Sequence, residues 1–212
     1  MAKTLLSLFD YTGTWSAPYL KNGWAVIQID IKHGVDIMDI DTDWLYENIF
    51  DGHETVDGIL AAPPCTDFSV SGAQYWKKKD ADGTTAKSVE LVNQVLRIVD
   101  VCSPDFWALE NPVGRIAQLV PGLGKPKYFN PHDFGDAYTK KTALYGKFKM
   151  PQKTNNVGLF KKGTNRLDEV KPIRETKQGS WLMKLGGKSE RTKELRSITP
   201  SGFAEAFYQF NH

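Results

Sequence analysis

Cysteine, histidine and long apolar runs are all scarce in this 212-residue chain. Its two cysteines, Cys65 and Cys102, cannot make the disulfide framework of a small secreted domain, and no Cys/His spacing resembles a zinc site. No stretch approaches the roughly 18 apolar residues of a membrane-spanning helix. Met1-Ala2-Lys3 runs straight into a strand-like segment with no secretory pattern. These absences lead us to expect a cytoplasmic protein with no metal and no membrane partner. The four histidines, His33, His53, His132 and His212, sit in no recognisable motif, so none is placed to activate a cysteine as in histidine-dependent thiol enzymes. There is no internal repeat. The length suits one domain, or one with a small appendage.

Net charge is also small, +2, but it is unevenly spread. Up to Asp136 there are 11 Lys and Arg against 19 Asp and Glu, a net of −8. From Ala137 onward there are 16 against 6, a net of +10. An acidic first part followed by a basic second part points to a polyanion approaching the second part.

The most informative stretch is Gly58-Ile59-Leu60-Ala61-Ala62-Pro63-Pro64-Cys65. Its apolar run reads as a buried strand. The two prolines cannot continue a ladder, so Cys65 is presented on a stiff turn at the strand's carboxyl end. Ligands bind at such ends in open α/β sheets. Cys65 could otherwise be a small buried apolar residue.

The opening has the same logic. Leu5 to Phe9 reads as a strand, Asp10 to Thr14 as a glycine-containing turn, and Trp15 to Asn22 as a helix ended by Gly23. Strand, turn and helix in this order open a nucleotide-binding α/β unit. Trp24 to Ile31 reads as a second strand. Asp30 near its end has the spacing of an acid that binds ribose hydroxyls, and could also simply end the strand. Val35 to Ile40 alternates like a short strand whose Asp36 or Asp39 could reach a cofactor base, and Asp43 to Phe50 reads as a short helix. Gly72 to Asp82 reads as a long polar loop, a lid or phosphate-contacting arm. Thr85 to Val101 has the apolar spacing of an amphipathic helix, with Thr84 or Thr85 as its N-cap.

After Pro104, Asp105 to Pro112 reads as another strand that stops at a proline, delivering Glu110 as a candidate acid/base partner beside Cys65. A short helix follows over Val113 to Val120. Lys140 to Gly146 reads as a strand, residues 149–188 are irregular, and Thr199-Pro200 opens a final helix through Phe210, with Thr199 as N-cap and Pro200 at the first helical position.

Together these motifs resemble the DNA cytosine-5 methyltransferase family, especially its compact phage-type members, of the kind met in restriction–modification. Pro63-Pro64-Cys65, extended by Asp67-Phe68-Ser69 and Gly72, resembles the nucleophile motif, and Glu110-Asn111-Pro112 the Glu-Asn motif. Phe9 and Gly13 match part of the first cofactor motif and Asp30 the ribose acid. Thr139 to Thr142 stands where the family has an arginine-rich motif, and residues 196–204 resemble its closing motif.

The resemblance implies an α/β, Rossmann-like class I methyltransferase sheet. Residues 1–146 would bind cofactor and cytosine, 147–195 would form a reduced, irregular target-recognition region, and 196–212 would return as a helix to the catalytic domain. It implies S-adenosylmethionine as cofactor, held by Phe9, Gly13, Asp30, Asp36 and Pro63. It implies double-stranded DNA with a flipped cytosine as partner, in a bacterial or phage-infected cytoplasm.

Cys65 would then add to C6 of the base, because C5 alone is too weak a nucleophile for a methyl sulfonium. Glu110 would bond the Watson–Crick edge, Asn111 would fix the loop or touch the base, and Lys141, or Lys140, would hold the base carbonyl and a phosphate. A free thiol with a pKa near 8.5 needs nearby positive charge, or proton removal as the base binds.

The chain also departs from the family. Tyr11 stands where a glycine is usual, lysines replace the arginine-rich motif, and the closing motif lacks its Asn. The short recognition region implies a short site, low specificity or an accessory protein. Rival readings keep the chemistry on RNA or a nucleotide, or keep the fold without catalysis.

Overall fold

The computed structural model describes residues 2–50, 55–136, 138–154, 195 and 197–212. Four parallel strands form first: β1 (Thr4–Leu8), β2 (Ala25–Ile29), β3 (Gly58–Ala61) and β4 (Phe106–Pro112). Two more, β5 (Lys127–Phe129) and β6 (Thr142–Tyr145), complete a six-stranded sheet in the order β2-β1-β3-β4-β6-β5. β6 runs antiparallel to both β4 and β5. The helices are α1 (Ala17–Lys21), α2 (Thr42–Leu45), α3 (Trp76–Ala81), α4 (Thr84–Cys102), α5 (Ile116–Leu119) and α6 (Ser201–Phe210). The fold is therefore the expected α/β class.

Strand side chains leave alternate faces of a sheet, and here both faces are covered. Leu6, Leu8, Ile59, Ala61 and Leu109 pack in one cluster with Val92, Val95 and Ile98 of α4. Leu5, Leu60 and Ala108 pack in the other, with Trp15, Tyr19 of α1 and Phe203 and Phe207 of α6. That second layer is aromatic: Phe203 stacks on Phe129 at 3.8 Å between ring centroids. Asn211 ties α6 down, exchanging hydrogen bonds with both backbone groups of Lys149 while its carbonyl accepts from the Tyr19 hydroxyl.

Several expected elements take another form. Val35 to Ile40 is not a strand but a 3-10 turn at Ile37–Asp39, because the Asp36 carboxylate accepts the Met38 N–H (3.0 Å) and competes with any ladder. Gly72 to Asp82 is not a loop: a 3-10 turn over Val70–Tyr75 leads into α3. α4 starts behind Gly83 in a left-handed conformation, with Asp82 accepting from the Thr84 N–H and hydroxyl, so neither threonine is the cap. Pro200 is the N-cap of α6 rather than Thr199. The Asp136 carboxyl faces the N–H groups of Gly202 and Phe203 there, which complements the helix N-terminus from a distant part of the chain. The last expected strand is shorter than its pattern, and both lysines precede it. Of the expected recognition region, residues 155–194 lie outside the described residues.

Candidate active site

Chain direction across the sheet reverses at β1, with β2 on one side and β3 on the other. Loops diverge at the carboxyl ends of strands flanking such a point, leaving a crevice suited to ligands. A cavity of about 570 Å³ lies there, within the usual range for small-molecule sites. Phe9, Tyr11, Thr12 and Trp15 line it from beyond β1, and Asp30, Ile31, Lys32, Asp36 and Ile37 from beyond β2. Ala62, Pro64, Cys65 and Thr66 line it from beyond β3, joined by Leu91, Ser197 and Thr199.

Four of the expected site residues thus share one cavity: Phe9, Asp30, Asp36 and Cys65. Phe9 reaches it through a left-handed backbone (φ 58°), uncommon for a side-chain-bearing residue and held by its N–H bond to the Ile29 carbonyl (2.7 Å). Asp30 accepts the Lys32 N–H through one oxygen (2.8 Å). Gly13 and Pro63 are placed elsewhere. A Cβ at Gly13 would lie 2.8 Å from Gln28 Nε2, and Gln28 donates to the Asp10 carbonyl, so Gly13 admits a clamp between the first turn and β2. Pro63 is buried, and its carbonyl accepts from Asn111 Nδ2 (3.2 Å).

Tyr11, the residue in place of glycine, points outward at the cavity rim. Its ring lies 4.4 Å from Lys32 Nζ, and its carbonyl accepts from His33 Nε2 (3.2 Å).

Cys65 and Glu110 are brought together by strand register. β3 and β4 pair up to Ala61 and Leu109, so at the carboxyl ends of these neighbouring strands Glu110 comes one residue later, still paired with Leu144 of β6, and Cys65 four residues later. Burial pushes the Cys65 thiol up, and Glu110 pushes it further; Lys140 and the residue's own backbone N–H oppose them, and Asp67 adds a smaller upward push. The Glu110 carboxyl is raised by burial and lowered by Lys140, 3.9 Å away. Burial thus shifts both groups toward the protonated form, and Lys140 pulls both the other way. The cation in this pair is Lys140; Lys141 is exposed and lies over the Tyr128 ring at 4.8 Å. Asn111 is fully buried, with Oδ1 lacking a partner among the described residues.

Sequence reading missed three groups here. Asp10 is buried, with its carboxylate between the hydroxyls of Ser7 (2.8 Å) and Ser16 (2.6 Å). The Tyr138 phenol is raised by burial, by Asp136 and by Glu110, which places it beside the acid. Arg115 bridges the Asp67 carbonyl, beyond the Cys65 turn, and the Asp80 carboxylate of α3. Asp10 stood at the end of the first strand, a usable signal, whereas nothing local marks the other two. Among the described residues no cluster of His, Cys, Asp and Glu could hold a metal ion, and no helix is long and apolar enough to cross a membrane.

The site thus combines a doubly wound α/β sheet, a cavity at its switch point lined by Cys65, and a buried carboxyl, Glu110, on the neighbouring strand. The chain belongs to the family of C-5 cytosine-specific DNA methylases, whose sequence model matches residues 8–119, more than half of its length. No curated protein matches it. Among solved structures it is similar to an E. coli prophage-encoded protein described as a DNA modification methyltransferase (TM-score 0.50, 19% identity, 69% of this chain and 47% of that one). S. pombe Dnmt2 methyltransferase gives a TM-score of 0.44 at 15% identity, over 81% of this chain and 58% of that one. The Entamoeba histolytica methyltransferase EhMeth gives 0.39 at 12%, over 69% and 52%. The chain spans about half the length of these proteins.

Proposed function

We propose that this chain methylates C5 of cytosine in DNA, with S-adenosylmethionine as methyl donor and Cys65 as the attacking group. The observation that carries this reading is the placement of Cys65 and Glu110 at the carboxyl ends of the adjacent strands β3 and β4, with Cys65 opening onto the cavity that Asp30 also lines. The cavity's residues fit that cofactor: Asp30 suits ribose hydroxyls, and Phe9, Ile31 and Ile37 suit a purine ring. Trp15 also lines the cavity, and its buried Nε1–H has no partner among the described residues, so it can serve a polar ligand. Bound there, the cofactor supplies an electrophilic methyl group on a positively charged sulfur.

The chain's own residues do the rest. The target base must leave the duplex to bring C6 to Cys65. Glu110, which burial shifts toward its protonated form, takes up a proton and donates toward N3, drawing electrons there as the Cys65 Sγ–C6 bond forms. C5 then has enamine character and takes the methyl group. Loss of the C5 proton and release of Sγ restore the ring and the free cysteine. A thiol raised by burial and by Glu110 is poorly ionised at rest, so the proton leaves as the base docks and Lys140 steadies the resulting charge. Lys140 and the basic second part of the chain suit a phosphate backbone.

Mass spectrometry of the protein mixed with S-adenosylmethionine and duplexes carrying 5-fluorocytosine tests the proposal. Fluorine at C5 blocks the final elimination, so a covalent protein–DNA species should accumulate and map to Cys65. Cys65→Ser should give none while binding cofactor normally. Cofactor binding without an adduct would overturn the reading, and adducts with RNA alone would move the substrate to RNA.

A further inference from the structure

The segment that follows Cys65 has little apolar anchorage. Of residues 66–82 only Asp67 and Phe68 are buried, and Val70 and Tyr75 lie 58% and 50% exposed. Hydrophobic burial therefore cannot account for its ordered 3-10 turn and helix. A polar network can. Arg115, 8% exposed, donates from Nε to the Asp67 carbonyl (3.0 Å), and its backbone N–H donates to the Phe68 carbonyl (3.0 Å). Its two terminal nitrogens grip the Asp80 carboxylate on α3 at 2.8 and 2.7 Å. The guanidinium also lies 4.5 Å from the centre of the Trp76 ring.

Other contacts close the same loop from the α4 side. Thr85 accepts from Arg115 and donates to Asp80, and the Asp67 carboxylate accepts from Ser88 and Lys79. A buried guanidinium without a carboxylate is costly, and the planar fork matches two oxygens at once, so Arg115 and Asp80 hold α3 in one place. The turn carrying Cys65 is only two residues from this network: the Cys65 carbonyl accepts from the N–H groups of Phe68 (3.1 Å) and Ser69 (2.9 Å).

We propose that Arg115 and Asp80 are positioning residues that latch α3 against α4 and thereby hold Cys65 at the mouth of the cavity. The inference deepens the methyltransferase reading and rests on it for the role of Cys65. Arg115 reaches Cys65 only through Asp67 and Phe68, so neither latch residue touches the base.

The test measures alkylation of Cys65 by iodoacetamide in the Cys102→Ser background, alongside cofactor binding, thermal melting and methyl transfer. Asp80 is a surface residue, so Asp80→Ala leaves the core intact. We expect this variant to alkylate about tenfold faster as the loop opens, and methyl transfer to fall by about the same factor. Cofactor affinity should stay within about twofold, because the latch lies outside the cofactor crevice. Asp80→Glu keeps two acceptor oxygens and should restore slow alkylation. Alkylation unchanged in Asp80→Ala, or equally fast in Asp80→Glu, would overturn the latch. Faster alkylation in Asp80→Ala from a parent chain that transfers no methyl group would support the latch and remove the methyltransferase reading instead.

Discussion

The two sides of the crevice are built in different ways. Beyond β1 and β2, the carboxylates are held by near neighbours, Asp30 by the Lys32 N–H, Asp36 by the Met38 N–H, and Asp10 by Ser7 and Ser16, and bonds between the two turns (Phe9 to Ile29, Gln28 to Asp10) join them. Beyond β3 and β4, the bonds span long stretches of chain: Asn111 to Pro63, and Arg115 to Asp67 and Asp80. The first side can form its turns as the chain forms them, because each carboxylate finds its donor two to six residues away. The second side exists only once β4 lies beside β3. This difference suits the proposed roles. A cofactor that enters and leaves needs a shaped but accessible cavity, whereas a nucleophile needs an orientation that does not drift.

The comparison predicts that substitutions on one side will spare the other. The largest expected effect is at Glu110. Glu110→Gln should lower methyl transfer by roughly 10²- to 10⁴-fold, the usual worth of an acid/base group, with cofactor binding unchanged by calorimetry. It should also move the pH midpoint of Cys65 alkylation downward. A carboxylate beside a thiol disfavours the thiolate and raises its pKa, so removing the negative charge lowers it. Lys140→Gln should move the same midpoint upward, because a cation that favours the thiolate is lost. Shifts in the same direction for both variants would break the assignment of opposing charges. Cys102, pushed up to about 11 by burial, stays protonated through most of this range and is removed from the assay as Cys102→Ser.

The next effect belongs to the other side. Asp30→Ala should weaken cofactor binding roughly 10- to 100-fold, as expected for losing a charged hydrogen-bond acceptor. Alkylation of Cys65 should not change. Unaltered cofactor affinity would leave Asp30 as the partner of the Lys32 N–H and nothing more.

The smallest expected effect tests how tightly the second side is packed. A Cβ at Gly114 would lie 1.9 Å from the Phe68 carbonyl oxygen, so Gly114→Ala must displace backbone. We expect a cost of about 1–3 kcal/mol, seen as a lower Tm, with faster Cys65 alkylation and normal cofactor affinity. A loss of cofactor affinity equal to that of Asp30→Ala would show that the two sides are coupled.

Local patterns made much of this molecule legible before its structure. The apolar runs at Leu5–Leu8 and Gly58–Ala61 marked parallel strands, and Pro63 and Pro64 marked where one of them ends. The spacing of Val92, Val95 and Val99 marked α4. Alternation failed at Val35 to Ile40, where Asp36 bonds the backbone and forms a turn, so the sheet ends at β2. Polar composition failed at Gly72 to Asp82, where α3 is held by Arg115, a partner 35 residues away from Asp80. The choice between Lys140 and Lys141 could not be read either. Adjacent residues take different directions, and only the start of β6 at Thr142 decides which one meets Glu110.

By itself, the sequence determined the strands β1 to β4, the long helix and the stiff cysteine turn. Each depends on side-chain period or on bonds between near neighbours. Tertiary structure alone decided that Cys65 and Glu110 meet at the ends of neighbouring strands, that Lys140 is the cation beside Glu110, and that Arg115 holds the loop. Those pairings need strand order and register, which are set by burying both faces of the sheet at once and leave no mark in any short stretch of chain.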